Sequence, residues 1–209
     1  MANIGDKILY LVTDEAACRG KDFFESVEAA IRGGVSIVQL REKNLSTRDF
    51  YQKGLKLKKL CQDYGVTILV NDRLDIAQAI GADGVHLGQT DMPIEVAKEI
   101  LGPDKIIGIT AKTIDQALDA QEAGADYIGV GAFYPTPSKK DAVLLDRSQL
   151  DMILERVRIK KYAIGGLGLD NVDKIRSYDM DGVCIISDIL ASDDCEARSR
   201  QIFDKINNR

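Results

Sequence analysis

The chain has 209 residues, 45% of them hydrophobic, which suits one globular domain with a large core (residues 1–209) and is too short for two. With 28 basic against 33 acidic side chains it carries a net charge of -5, so there is no bulk positive field for a nucleic-acid backbone or an anionic membrane surface; any phosphate recognition must be local. No apolar segment reaches membrane-spanning length, Met1 to Asp14 has no basic n-region or small-residue cleavage site, and Cys18, Cys61, Cys184 and Cys195 show no CxxC or metal-finger spacing, so a soluble cytoplasmic protein with reduced thiols is expected.

In chain order, short β-branched apolar runs alternate with amphipathic stretches. Strands are predicted at Ile8–Val12, Ser36–Leu40, Thr67–Val70, Gly84–Leu87, Ile106–Ile109, Tyr127–Val130, Tyr162–Ile164 and Gly182–Ile186, each short and apolar enough to be a buried parallel strand. Between them, apolar positions recur at three and four residues in Phe23 to Arg32, Ser46 to Tyr64, Ile94 to Leu101 and Ile114 to Ala123, the period of helices. Asp22, Ser46, Thr113 and Asp170 stand where N-caps belong, and Gly33, Gly65, Gly81, Gly102 and Gly124 where helices should stop. Gly-Ala-Asp recurs at residues 81–83 and 124–126, with a looser version at 179–182, each ending a helix and opening a strand. Eight such units at about 26 residues each predict a compact single-domain (β/α)8 barrel. A doubly wound sheet would need fewer strands and a Gly-rich turn after the first, and Leu11 to Glu15 has none.

In such a barrel the C-terminal strand ends converge on one mouth, where ligands bind. The loop after the sixth strand, Phe133-Tyr134-Pro135-Thr136-Pro137-Ser138-Lys139-Lys140, holds two of the four prolines beside two hydroxyls and two lysines and reads as an anion clamp. After the second strand, alternation puts Gln39, Arg41 and Lys43 on one side and Leu40 and Glu42 on the other. A guanidinium fork, an ammonium and an amide on one face suit a diphosphate, although a solvated charge cluster would look the same. Asp72 and Asp91 follow adjacent strands; each alone would pass for a helix N-cap, but together they suit Mg²⁺, which binds through one or two carboxylates plus phosphate oxygens. His86, the only histidine, lies inside a strand and is expected to be structural. Thr110 and Lys112 add a hydroxyl and an ammonium. The glycines at 165, 166 and 168, with Ser187 opening a short helix, form a second, backbone-based phosphate pocket.

These motifs, in this order, resemble the thiamine-phosphate synthase family: Gln39-Leu40-Arg41-Glu42-Lys43, Val70-Asn71-Asp72, Asp83 to Gln89 with Asp91, Tyr134-Pro135-Thr136 with Lys139, and Ala163-Ile164-Gly165-Gly166. The resemblance implies a barrel enzyme that joins 4-amino-5-hydroxymethyl-2-methylpyrimidine diphosphate to a thiazole phosphate, carboxylated or not, releasing diphosphate and, from the carboxylated substrate, CO₂. It further implies that Gln39, Arg41, Lys43, Asn71, Thr110 and Lys139 hold the pyrimidine diphosphate, with Arg41, Lys43, Thr110 and Lys139 catalytic. Asp72 and Asp91 would bind Mg²⁺, and Thr136, Pro137, Ser138, Gly166, Ile186 and Ser187 would line the thiazole-phosphate pocket. Lys140 is expected to matter little. Many members carry Ser at the position of Thr110, which keeps the hydroxyl, and His at the position of Lys112, which leaves thiazole-side selectivity open. A thiazole tautomerase of the same superfamily, or a non-catalytic phosphate-binding barrel, is the alternative, and a homo-oligomer is allowed.

Overall fold

The computed structural model describes residues 7–136 and 144–208. Eight parallel strands close into a barrel in sequential order: β1 Ile8–Val12, β2 Ile37–Leu40, β3 Thr67–Asn71, β4 Gly84–Leu87, β5 Ile106–Ala111, β6 Tyr127–Val130, β7 Lys160–Ile164 and β8 Gly182–Ile185, with β8 paired back to β1 through Ile8 and Gly182. The predicted (β/α)8 barrel is thereby borne out. Helices α1 Phe23–Arg32, α2 Thr47–Tyr64, α3 Leu74–Ile80, α4 Ile94–Leu101, α5 Ile114–Glu122, α6 Arg147–Arg156, α7 Ser187–Leu190 and α8 Cys195–Asn207 surround it.

The helix starts follow their capping chemistry. Asp22 accepts the Glu25 amide at 2.9 Å and Thr113 the Gln116 amide at 3.2 Å, each satisfying one orphan donor of the first turn. Ser46 accepts the Asp49 amide at 3.2 Å and donates its hydroxyl to the Asp49 carboxylate at 2.6 Å. Asp170 is the exception. The segment between β7 and β8 forms a 3-10 turn, Val172–Ser177, preceded by Asn171, so Asp170 caps nothing. Asn171 instead turns its side chain back, accepting from the Gly168 amide at 3.0 Å and donating to the Gly166 carbonyl at 2.9 Å. Here the chain spends its polar groups on fixing the β7 loop rather than on starting a helix.

The Gly-Ala-Asp repeat has a physical role at the floor of the barrel. The side chains of Asp83, Asp126 and Asp181 accept the backbone amides of Ile68, Ile107 and Lys161, each at 2.8 Å. Each residue's own amide meanwhile donates to the carbonyl of the same partner, at 2.8 to 2.9 Å. Every aspartate therefore clamps its strand to the one before it, where the ladder begins. The Asp83 carboxylate also pairs with Lys58 of α2 at 2.8 Å. The fourth equivalent position, between β1 and β2, holds Ser36, whose amide bonds the Leu9 carbonyl at 3.0 Å but whose buried hydroxyl has no partner.

Two separate cores result from strand alternation. Outward residues such as Leu11, Leu40, Val70, Leu87 and Val130 pack under the helices. Inward residues Tyr10, Val12, Leu69, Tyr127, Tyr162 and Cys184 fill the barrel itself. Three tyrosines so close together pack edge to face or tilted, with Tyr10 to Tyr162 at 5.8 Å and Tyr127 to Tyr162 at 5.0 Å between ring centres. Cys18, Cys61, Cys184 and Cys195 are free and buried. Among the described residues no helix is long and apolar enough to cross a membrane.

Candidate active site

A cavity of 490 Å³ opens at the C-terminal mouth, and all eight strands or the loops that follow them contribute to its wall. From β2 come Gln39, Arg41 and Lys43; from β3, Asn71 and Asp72; from β4 and its loop, His86 and Asp91; from β5, Thr110 and Lys112. The inward alternation of β2 continues past its last hydrogen-bonded residue. Glu42, on the opposite side, pairs with Lys53 of α2, and Arg41 is held by its own amide donating to the Thr13 hydroxyl at 3.0 Å.

Asp72 and Asp91 are not helix caps. Helix α3 is preceded by Arg73 and α4 by Pro93, and neither start carries a side-chain cap. Asp72 sits in the left-handed region at φ 61, a conformation uncommon outside glycine but tolerated by Asp, while its amide still donates to the His86 carbonyl at 2.9 Å. Asp91 folds back so that its carboxylate accepts the Gly88 amide at 2.5 Å. The two side chains meet: burial first, then the hydrogen bond and charge of Asp91, push the Asp72 carboxyl up to about 6, with Asn71 and Arg41 pulling the other way. A carboxyl raised by burial and by a neighbouring carboxylate belongs to a pair that a divalent cation relieves, and a hard ion needing only one or two protein carboxylates fits the donor set. Among the described residues no group of three or more His, Cys, Asp or Glu gathers to hold a metal.

The opposite wall is built by β6 to β8. The loop after β6 rests on the loop after β7, with the Phe133 amide donating to the Ile164 carbonyl at 3.1 Å and the Tyr134 amide to that of Gly165 at 3.0 Å. Gly166 is at φ 65, and a Cβ there would lie 2.6 Å from the Pro135 carbonyl oxygen, so a side chain is excluded on both counts. Thr136, Gly165 and Ile186 line the cavity, whereas Gly166 and Ser187, next to two of them in the chain, are not among its lining residues. Gly166 is turned into the loop contact, and Ser187 begins α7. The Asp188 carboxylate, beside Ser187, ties this wall together by accepting the Leu169 amide at 3.0 Å and the Arg198 guanidinium at 3.0 Å. Pro137, Ser138, Lys139 and Lys140 lie outside the described residues.

Several side chains of the site have roles that the motifs alone do not reveal. Gln89 donates its amide to the Thr110 carbonyl at 2.7 Å and Gln116 accepts the Lys112 amide at 2.8 Å, each stiffening β5 as it enters the cavity. His86 is fully engaged at both ring nitrogens, Nδ1 with the Tyr127 hydroxyl and Nε2 with the Thr110 hydroxyl, each at 2.9 Å. It is structural in the sense expected, yet it also faces the cavity. Inward-pointing parity along each strand would have identified it, together with Tyr10 and Tyr127 beneath.

A closed (β/α)8 barrel whose mouth combines cationic, amide, hydroxyl and paired carboxylate side chains defines the class, a barrel enzyme with its chemistry at the C-terminal strand ends. Residues 9–189 match the family model described as thiamine monophosphate synthase, and the chain belongs to that family. It is 50% identical to the thiamine-phosphate synthase of Fusobacterium nucleatum over 98% of this chain and 100% of the relative, and 47% identical to that of Clostridium acetobutylicum over 98% and 96%. The solved structure of the thiamine phosphate pyrophosphorylase from Pyrococcus furiosus superposes with a TM-score of 0.87 at 39% identity, covering 96% of each chain. The 3-hexulose-6-phosphate synthase from Salmonella typhimurium, at TM-score 0.69 and 17% identity, shares the fold alone.

Proposed function

We propose that the chain is a thiamine-phosphate synthase, a transferase that moves a pyrimidinylmethyl group from its diphosphate to a thiazole phosphate. The observation that carries the assignment is the gathering of Gln39, Arg41, Lys43, Asn71, Asp72, Asp91 and Thr110 from four successive strand ends into one cavity, in a chain of this family. A charged leaving group needs this kind of surround. The C–O bond between the pyrimidine methylene and the diphosphate breaks, the bonding pair leaves with the diphosphate, and the thiazole nitrogen supplies the new pair to the methylene carbon.

Arg41 and Lys43 neutralise the charge that accumulates on the departing diphosphate, the first through a planar fork of donors and the second as a point charge. Gln39, Asn71 and Thr110 add neutral donors that cost no reorganisation at the moment of bond cleavage, which is electrostatic stabilisation by preplaced dipoles. Asp72 and Asp91 would hold Mg²⁺, which supplies positive charge to the diphosphate oxygens. On the other wall, Thr136 and Ile186 with the backbone of Gly165 receive the thiazole phosphate, Gly166 and Ser187 support that backbone, Pro137 and Ser138 are assigned to the same pocket, and Lys139 is assigned with Arg41 and Lys43 to the leaving diphosphate. No group strong enough to abstract a carbon-bound proton is required, in keeping with a single histidine already bonded at both nitrogens. Free, buried thiols accord with a cytoplasmic setting.

The test is a coupled assay for diphosphate. Release that requires Mg²⁺ and both substrates supports the synthase. Isomerisation of the thiazole substrate without the pyrimidine would favour a tautomerase instead, and calorimetric binding of both ligands without turnover a non-catalytic barrel.

A further inference from the structure

Five polar side chains form a continuous chain of hydrogen bonds through the barrel interior. The Gln39 amide donates to the Tyr10 hydroxyl at 2.5 Å, the Tyr10 and Tyr127 hydroxyls lie 2.9 Å apart, Tyr127 reaches His86 Nδ1 at 2.9 Å, and His86 Nε2 reaches the Thr110 hydroxyl at 2.9 Å. Four of the five are nearly sealed from solvent: Gln39 3%, Tyr10 0%, Tyr127 3% and His86 7% exposed. Gln39, His86 and Thr110 line the cavity, and Thr110, with a half-buried side chain, is the most exposed of the five. The strands make room for the chain of bonds, because a Cβ at Gly108 would overlap the Tyr127 ring at 1.9 Å and one at Gly129 would press on the His86 ring at 3.3 Å.

Only one direction of donation satisfies every member. The Gln39 amide occupies Tyr10 as an acceptor, so the Tyr10 hydroxyl must spend its proton elsewhere, and among the described residues Tyr127 is the partner that remains. Reversing the next bond would leave the Tyr10 proton buried without an acceptor, an arrangement interiors avoid. Burial holds both phenols well above their usual range, so each keeps its proton to donate. The order is then forced: Tyr10 donates to Tyr127, Tyr127 to Nδ1, and Nε2–H to Thr110.

We propose that Tyr10, Tyr127 and His86 act as a positioning relay that fixes the imidazole as its Nε2–H tautomer and turns the Thr110 hydroxyl into a dedicated donor to the diphosphate. With one lone pair taken by Nε2–H, the Thr110 proton is directed to the cavity, where an anionic oxygen accepts it. A neutral imidazole donating from Nε2 thus sets the polarity of a hydroxyl at the reacting end without touching the substrate through a charge. The tautomer belongs to the fold alone, whereas the use of the Thr110 proton rests on the proposed synthase activity.

Two measurements separate those parts. Because the chain has a single histidine, a ¹⁵N–¹H correlation spectrum of the imidazole in the uniformly ¹⁵N-labelled protein reads His86 without assignment. Protonated Nε2 with unprotonated Nδ1 in the wild type, giving way to a mixture of tautomers in Tyr127→Phe, is the expected result; protonated Nδ1 in the wild type overturns the relay whatever the enzyme does. In the diphosphate-release assay, Tyr127→Phe should lower kcat roughly tenfold with little change in KM. The same substitution placed on Thr110→Ala should lower kcat no further, because the relay acts through that hydroxyl. Independent losses that multiply in the double variant would overturn the claim that Tyr127 works through Thr110.

Discussion

Gly108→Ala provides the sharpest test of how the barrel interior is packed. The new Cβ would lie 1.9 Å from Cζ, 2.2 Å from Cε1 and 2.4 Å from the hydroxyl oxygen of Tyr127. Carbon atoms pack at about 3.5 Å or more, so the ring must retreat by about 1.5 Å. It has nowhere to go: Tyr127 is buried, with the Tyr162 ring centre 5.0 Å away and that of Tyr10 6.0 Å away. Overpacking of this kind costs roughly 1–3 kcal/mol, and a shift of that size also breaks the two 2.9 Å bonds of the Tyr127 hydroxyl, at about 1 kcal/mol each. The sum is about 4 kcal/mol, less a few tenths for replacing a strand glycine. In a domain of this size that lowers Tm by roughly 10 °C, measured by near-ultraviolet circular dichroism, which follows the tyrosines themselves. Gly129→Ala is the internal control. Its Cβ would meet His86 Cε1 at 3.3 Å, a conflict relieved by a few tenths of an ångström, so Tm should stay within about 3 °C of wild type. Equal Tm values for the two variants would show that Tyr127 is not wedged against β5, and the packing argument would fail.

Arg41→Ala should lower kcat about a hundredfold or more in the diphosphate-release assay while moving Tm by less than about 3 °C, since its loss removes a charge-stabilising donor rather than a core contact; undiminished kcat would refute its role. At the opposite end, Asp126→Ala should cost about 1–2 kcal/mol in urea unfolding and leave kcat unchanged, because among the described residues the carboxylate bonds only the Ile107 amide on the barrel floor. Ser36→Asp should instead stabilise by about 1 kcal/mol by placing a carboxylate beside Leu9 at the clamp position that the repeat leaves incomplete; a destabilised variant would show that the four quarters are not equivalent. Asp72 carries the pH dependence. Its carboxyl is raised from 3.8 to about 6, so the folded state takes up the proton more readily than the unfolded chain; without metal, this contribution to stability is complete below 3.8 and fades as pH rises through about 6. Mg²⁺ competes with that proton, so the metal-induced rise in Tm should be larger at pH 7.5 than at pH 5, and an equal rise at both would remove Asp72 from the metal site.

The strand pattern was legible because parallel strands covered on both faces are nearly unbroken apolar runs, and the observed bounds differ from the predicted ones by at most two residues, at Ala111 and Lys160. The same property concealed the interior. Tyr10, Tyr127 and Tyr162 count as apolar residues in such runs, and their hydroxyls become visible only when closure of the barrel turns alternate residues toward one another. Asp170 misled because a carboxylate before a short polar stretch looks like a cap, whereas the neighbouring Asn171 has two loop groups to satisfy and leaves only a 3-10 turn. The basic wall was readable from Gln39-Leu40-Arg41-Glu42-Lys43, where parity alone separates ligand-facing from helix-facing groups. The phosphate wall was less so. It consists of backbone, and which of Gly165 and Gly166 meets the cavity depends on how tightly the β6 loop crosses the β7 loop.

Stability and chemistry in this barrel are divided by height, and the division explains why polar residues are tolerated along its axis. At the floor, three aspartates bond backbone amides at the strand starts, and the chemistry above makes no use of them. At the mouth, like charges are left side by side, as at Asp72 and Asp91, a tension that a bound cation resolves. Between the two, a purely aliphatic filling would have packed as well but could not have fixed a hydroxyl's orientation at the top. Tyrosines provide the bulk and the bond at once: their rings fill the space that Gly108 vacates, and their hydroxyls pass a single donor direction from Gln39 up to Thr110. The orientation of a group in the cavity is therefore set from beneath, through His86, by tyrosines held in place by the packing of the barrel core.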